Sequence, residues 1–243
     1  MPQDPIPTPP STTNDSHAPS AQTRRRLLEA AGEVFARRGF REATVREICQ
    51  LAHANLAAVG YHFRDKQGLY EAVLDDAHAC VPEPTRAEIQ RMDAMPPDEA
   101  LRVFINAFVH KLLDSGKPAY LEHIMAREMA EPTPALAHLV QTSIRPSVDQ
   151  LSHILRAMLG PGADEDLLWR CGCSIYGQCL FYVHSRPVLE RLEPTRHYGP
   201  TETQQIAQHV YEFSLAALQT HRRRLSKKAG AAAVRKTKRG TKR

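Results

Sequence analysis

Thr44-Val45-Arg46-Glu47-Ile48-Cys49-Gln50-Leu51-Ala52-His53-Ala54-Asn55-Leu56-Ala57-Ala58-Val59-Gly60-Tyr61-His62-Phe63 is the run of residues from which the architecture can be read. Its first four residues have the form of a capping box, in which the Thr hydroxyl and the Glu carboxylate each satisfy an orphan amide at a helix start. Ile48 and Leu51 give this helix, about two turns long, its buried face. After the break His53-Ala54-Asn55, the positions Leu56, Val59 and Phe63 mark a second short helix, for which Asn55 is a suitable cap. Two short helices joined by a three-residue turn match the helix-turn-helix, whose second helix enters the DNA major groove while the first crosses the backbone. Short helix pairs also occur as plain packing units, so spacing alone leaves both readings open.

The surrounding sequence supplies what two short helices lack, a partner that covers their apolar sides. Upstream, Leu27, Leu28, Ala31, Val34 and Phe35 recur at helical spacing from Thr23 onward, and Gly39 suits the left-handed stop position of that helix. Downstream, Leu69, Tyr70, Val73 and Leu74 predict a further helix after Asp65-Lys66-Gln67. Pro82, Pro84, Pro96 and Pro97 then mark a loose connection. Beyond it, Leu101, Phe104, Ile105, Phe108, Leu112 and Leu113 define a helix, and Tyr120 to Met129 form another that ends before Pro132 and Pro134. Residues 135–159 are apolar at helical intervals with Pro146 as an expected kink or break, 165–183 are apolar on nearly every face, and Ile206, Val210, Phe213 and Ala217 form a last stripe. With no period-two alternation, no hairpin signal and no internal repeat, the predicted class is all-α. The predicted divisions are a disordered lead-in over 1–21, a helix-turn-helix domain over 22–80, a linker over 81–97, a second helical domain over 98–220 and a disordered basic tail over 221–243.

Composition excludes several classes. The 243 residues contain no apolar run near the roughly 18 to 20 that a membrane span requires, and the Pro-, Ser- and Thr-rich amino terminus has no apolar stretch to serve as a secretory signal. The expected location is the cytoplasm, without membrane contact. The five cysteines, at 49, 80, 171, 173 and 179, fall inside helical patterns and do not read as a disulfide framework. Cys171 and Cys173 lie on different sides of a helix, away from any zinc-type spacing, so no metal is predicted. No Gly-rich phosphate loop, His-Glu-x-x-His or Gly-x-Ser-x-Gly motif appears, which leaves an enzyme without a constellation and predicts no cofactor.

Net charge is unevenly distributed. Residues 221–243 hold eleven Lys or Arg and no acid, so of 32 basic and 27 acidic residues the remainder keeps 21 against 27. The body is therefore acidic and the tail strongly basic. A flexible polycation engages phosphates without sequence preference, which makes an architectural DNA-binding protein led by its tail the alternative to a sequence reader.

For the sequence reader the candidate contacts follow from the groove. Leu56-Ala57-Ala58 gives the second helix a small leading face that lets its backbone approach the base edges. Tyr61, His62, Lys66 and Arg46 can donate to phosphates, and Thr44, Asn55 and Gly60 complete the candidate DNA-binding set.

The stretch Arg25 to Leu74, through Ala31, Phe35, Gly39-Phe40, Ala43-Thr44-Val45, Ile48, Tyr61-His62-Phe63, Lys66 and Leu69-Tyr70, resembles the amino-terminal domain of the TetR family of bacterial repressors. Ala126-Arg127-Glu128, Pro132-Thr133-Pro134-Ala135, Ile144-Arg145-Pro146 and the Gly177 to Phe181 stretch resemble the CecR-like branch of that family. The resemblance implies that residues 98–220 bind a small-molecule inducer and form a homodimer through the last two helices, so that two recognition helices read a near-palindromic double-stranded operator. It implies a repressor released by its ligand. Phe104, Phe108, Met125, Met129, Tyr176 and Phe181, with Arg127, are the expected pocket residues, although core side chains of the same types would look identical. His123, His138, Arg127 and Glu128 could orient an inducer, or each could simply cap a helix or face water. Three positions depart from the family pattern: Cys49 stands for Ala, His53 for Gly in the turn and Gly60 for Tyr. Cys49 is a small substitute, His53 must accept a positive φ, and Gly60 lacks a phosphate-contacting hydroxyl.

Overall fold

A computed structural model of the chain describes residues 17–79, 94–113 and 120–240. The helices are α1 (His17–Glu42), α2 (Val45–Leu51), α3 (Leu56–Phe63), α4 (Lys66–Ala79), α5 (Pro97–Leu113), α6 (Tyr120–Ala130), α7 (Pro134–Leu139), α8 (Arg145–Leu159), α9 (Glu165–His184), α10 (Arg186–Leu192) and α11 (Pro200–Gly240). A π turn, Val140–Ile144, joins α7 to α8. The described residues contain no strand, as the all-α reading expects. None of their helices is long and apolar enough to cross a membrane.

The described residues up to Asp76 form one compact unit together with Tyr120–Ala135. Its core contains the periodic positions of the sequence: Leu27, Leu28, Ala31, Val34 and Phe35 of α1, Ile48 of α2, Val59 and Phe63 of α3, and Leu69, Tyr70, Val73 and Leu74 of α4. Phe35, Phe40 and Tyr70 pack as an aromatic trio, with Tyr70 at 4.7 Å from Phe35 and 5.0 Å from Phe40 between ring centroids. At Gly39 the backbone takes φ 78° and leaves helical geometry, a conformation that costs glycine little, so the expected stop is a sharp break followed by a last turn to Glu42. α6 also belongs to this unit, whereas the sequence reading placed it inside a continuous 98–220 domain. Its Ile124 is fully buried in the shared core, and α1 meets it so closely that a Cβ on Gly32 would lie 2.5 Å from the Tyr120 ring.

The second unit comprises the described residues of 77–119 and 136–243. Leu101, Phe104, Ile105 and Val109 of α5 meet Leu151, Ile154, Leu155 and Met158 of α8, Leu168, Ile175 and Cys179 of α9, and Ile206, Ala207, Val210 and Leu218 of α11. Pro146 sits in the first turn of α8, where its missing N–H is tolerated, and the expected break appears as the wider π turn just before it. The α11 stripe divides: Ile206 and Val210 are buried, while Phe213 and Ala217 face outward.

Both ends depart from the disorder expected of them. Residues 17–21 are helical, and the rest of the lead-in lies outside the described residues, as do 81–93 of the linker. The basic tail continues α11 to Gly240, with 241–243 outside the described residues. Extending an existing helix needs no new nucleus, and the tail is rich in Ala, Lys and Arg, which have high helix propensity. Cations at a helix carboxy terminus are also favoured by the helix dipole.

Candidate nucleic-acid interface

The turn between α2 and α3 is held by its own short contacts. The Thr44 hydroxyl accepts from the Glu47 amide at 3.2 Å and starts α2, and the Asn55 side chain accepts from the Ala57 amide at 3.0 Å and starts α3. Each such cap contributes about 1 kcal/mol. Between them His53 adopts φ 48°, the left-handed conformation the turn demands, and the Ala54 amide donates to the Cys49 carbonyl at 2.9 Å. The buried Cys49 thiol lies 3.8 Å from the Asn55 carbonyl, a weak bridge across the turn. Burial pushes this thiol up from its ordinary value.

Only half of the expected capping box forms. Instead of reaching back to the Thr44 amide, the Glu47 carboxylate accepts from Arg37 Nη2 at 3.0 Å and Arg38 Nε at 2.9 Å. The Arg38 bond is the chief reason that Glu47 titrates below the usual carboxylate value. Charge-assisted bonds to two guanidiniums outcompete a neutral backbone amide. The end of α1 is itself gripped from α6: Arg127 donates through Nε to the Ala36 carbonyl at 3.1 Å and through Nη2 to the Arg37 carbonyl at 3.0 Å. A chain of contacts thus runs from α6 through the end of α1 to α2.

Beside it lies a buried carboxylate. Glu128, 1% exposed, accepts from the Tyr70 hydroxyl at 2.7 Å, the Thr133 amide at 3.1 Å and the Thr133 hydroxyl at 2.9 Å. Burial first, and then this bond to Glu128, raises the Tyr70 hydroxyl well above its usual range.

Among the predicted DNA-contacting residues, Thr44, Arg46, Asn55, Leu56, Ala57, Gly60 and Tyr61 are exposed, Tyr61 by 81%. Ala58 and His62 are half-buried. The outer surface of α3 therefore presents Leu56, Ala57 and Tyr61 with one bare glycine, and no atom lies within 4 Å of a Cβ added at Gly60. Lys66 is less free than expected: its ammonium donates to the Arg41 carbonyl at 3.0 Å and lies 4.8 Å from the Phe40 ring centroid, so it secures α4 to the end of α1. Arg64, exposed just past α3 at φ 70°, is a cation the sequence reading did not select. Its signal was its place immediately after the Tyr61-His62-Phe63 run.

The seven predicted ligand contacts are divided between the two units. Phe104, Phe108 and Tyr176 meet in the second unit, with Phe108 and Tyr176 at 5.0 Å in an edge-to-face arrangement and the Tyr176 hydroxyl 2.9 Å from Ser147 Oγ. Met125 and Arg127 belong to the first unit, and Met129 and Phe181 are each 54% exposed. The sequence reading missed Asn106, whose buried Oδ1 has no hydrogen-bond partner among the described residues. Burial pushes the Cys179 thiol up to about 12, while Cys173 is exposed and Cys171 half-buried.

Comparison with known proteins places this arrangement. Residues 27–73 match the profile described as bacterial regulatory proteins, tetR family, and residues 97–218 match the carboxy-terminal domain of the HTH-type transcriptional dual regulator CecR. CecR of Shigella flexneri is 31% identical over 171 residues, which cover 66% of this chain and 75% of that one. The solved structure of AibR in complex with isovaleryl coenzyme A and operator DNA matches with a TM-score of 0.56 at 18% identity, over 79% of this chain and 97% of the other. FadR of Bacillus subtilis in complex with stearoyl-CoA matches with a TM-score of 0.54 at 15% identity, over the same shares. At these identities the two structures speak to the fold.

Proposed function

The chain belongs to the TetR family of bacterial regulatory proteins, in its CecR-like branch, and from that premise we propose that it is a homodimeric repressor released from a near-palindromic operator by a small molecule. It acts on DNA in the bacterial cytoplasm and catalyses no reaction. The observation that carries the reading is the capped, exposed α3, with Leu56, Ala57 and Tyr61 outward behind a turn whose His53 accepts a left-handed conformation. Such a surface lets the helix backbone come close to base edges, with Arg46, Tyr61, His62 and Arg64 supplying phosphate contacts.

One short helix reads few bases, and two copies about 34 to 36 Å apart double the readout. The outer faces of α9 and α11 suit that pairing. Trp169, Cys173, Gly177 and Phe181 line one exposed side of α9, and Phe213 and Ala217 line that of α11. The two helices are tied at 3.4 Å between Gln178 Nε2 and Ser214 Oγ, so these apolar groups flank a common seam. A two-fold axis brings every substitution here into the seam twice. Phe213→Arg is therefore expected to weaken self-association by at least about a hundredfold in analytical ultracentrifugation, because an unpaired cation would be buried. A variant as dimeric as the parent would take this seam out of the interface.

For the ligand, the Phe104, Phe108 and Tyr176 cluster offers an apolar wall. Acyl thioesters of coenzyme A, the ligands of the two structural neighbours, are the first probes. To shift occupancy a ligand must favour one state of the protein over the other, by about 1 to 3 kcal/mol for ordinary coupling.

The deciding experiment is nuclease footprinting on DNA upstream of the protein's own coding region, at about 150 mM salt with excess competitor DNA. A bounded, near-palindromic protected site that an acyl-coenzyme A probe releases is the expected result. Diffuse protection abolished by competitor would overturn the sequence-reading function in favour of a tail-led architectural role.

A further inference from the structure

The unit that carries α2 and α3 has almost no charge with which to attract DNA. Over residues 22–76 and 120–135 it holds ten Lys or Arg and eleven Asp or Glu, a net of −1. Phosphate neutralisation supplies nearly all of a DNA-binding protein's non-specific affinity, and this unit cannot supply it by bulk charge. The positive charge lies instead at the other end of the chain, where Glu212 is the last acid and eleven cations follow it.

In the structure nine of those cations, from Arg222 to Arg239, stand on a helix. α11 holds the second core through Leu218, and Leu225 still lies against the turn after α8, its Cβ 3.7 Å from where a Gly162 Cβ would be. From Ser226 to Ala231 every side chain is exposed, and the helix continues to Gly240, fifteen residues or about 22 Å beyond Leu225. Arg222, Arg223, Arg224, Lys227 and Lys228 are all exposed, and none has a carboxylate partner among the described residues. Exposed cations that no acid neutralises keep their full charge for an external polyanion.

We propose that the carboxy-terminal extension of α11 is a second DNA contact, a helical cationic arm that binds backbone phosphates of the duplex whose bases α3 reads. This rests on the DNA-binding function proposed above. The arm supplies affinity without selectivity, and α3 supplies selectivity with little charge. Its ligand is duplex DNA through phosphate alone, so its contribution is the same on any sequence.

The test uses the full-length protein, with Lys227, Lys228, Arg235, Lys236, Lys238, Arg239, Lys242 and Arg243 replaced by Gln. Glutamine keeps helix propensity and leaves Arg222 to Arg224 and Leu225 in place. Binding to a duplex bearing the footprinted site, and to an unrelated duplex of equal length, is measured by fluorescence anisotropy across a salt series. Each lost phosphate contact lowers the slope of log K against log salt by about 0.9. If half of the eight cations on each protomer engage, the slope for the dimer falls by about 7 and Kd at about 100 mM salt rises at least about a hundredfold, equally on both duplexes. An unchanged slope would overturn the proposal while leaving any site preference, and with it the function of α3, intact. A parent protein that shows no site preference but loses slope in the variant would support the arm and sink the sequence reader. If the variant instead loses binding to RNA or to anionic lipid vesicles while its DNA slope stays the same, the arm serves a different polyanion and the proposal fails.

Discussion

Ala57→Glu is expected to abolish site-selective DNA binding, with Kd on the operator raised at least about a hundredfold, while the protein stays folded. Ala57 is exposed in the first turn of α3, and its amide is the one that the Asn55 cap satisfies. A carboxylate in that turn is favourable to the helix, since it meets the positive end of the helix dipole, so thermal stability should hold or rise slightly. The same carboxylate would enter the most negative surface the protein meets, twice per dimer, and displace the close backbone approach that small residues allow. Two half-sites that each forfeit the 1 to 3 kcal/mol of a good base contact lose about 2 to 6 kcal/mol together, and repulsion between the carboxylate and the phosphates adds to it. Anisotropy on operator and scrambled duplexes reads the result, with a thermal melt as control. Unchanged selectivity in a folded variant would remove α3 from the interface.

Glu128→Ala is the second large effect, and it acts on stability first. The substitution leaves the Tyr70 hydroxyl and the Thr133 amide without their acceptor in a site where Glu128 is 1% exposed. Each stranded donor costs about 1 to 3 kcal/mol, and the vacated volume adds to it. A loss of about 3 to 4 kcal/mol is expected, read as a clear fall in denaturation midpoint. Glu128→Gln keeps an acceptor for Tyr70 but turns the oxygen that accepts from the Thr133 amide into an NH2 group, donor facing donor, so its cost should be smaller, about 1 to 2 kcal/mol. Because Arg127 next to it holds the end of α1, operator affinity should fall in Glu128→Ala even well below its melting temperature. If the alanine variant matches the parent in stability, the carboxylate is not holding α6 to α4.

The local parts of this fold were legible in the sequence because their causes are local. Thr44 and Asn55 cap the helices they precede, Gly39 takes positive φ, and His53 adopts the conformation that a Gly-type turn position demands. The buried faces of α1 to α4 follow their spacing for the same reason, except at Leu51, which was expected on the buried face of α2 and is 45% exposed, Cys49 being buried beside Ile48 instead. What was not legible depends on partners distant along the chain. Glu128 reads as an acid that could orient an inducer, cap a helix or face water, and its partner Tyr70 is 58 positions away. Glu47 reads as half of a capping box until Arg37 and Arg38 come within reach. Met129 and Phe181 read as pocket-lining because apolar type says nothing about which way a residue faces. The tail reads as disordered from its charge, yet a helix already formed upstream carries it forward.

The inclusion of α6 in the first unit bears on how such a protein can change over evolutionary time. A recombination joint placed near residue 80, where the sequence suggests a clean border, would transfer α1 to α4 without the helix that fills their core and grips the end of α1. The graft would arrive with Tyr70 lacking its acceptor and the Gly32 surface uncovered. New specificities in this lineage are therefore easier to reach by point changes on α3 than by exchanging whole heads between regulators, and a successful chimera should carry residues 120–135 along with its first helices.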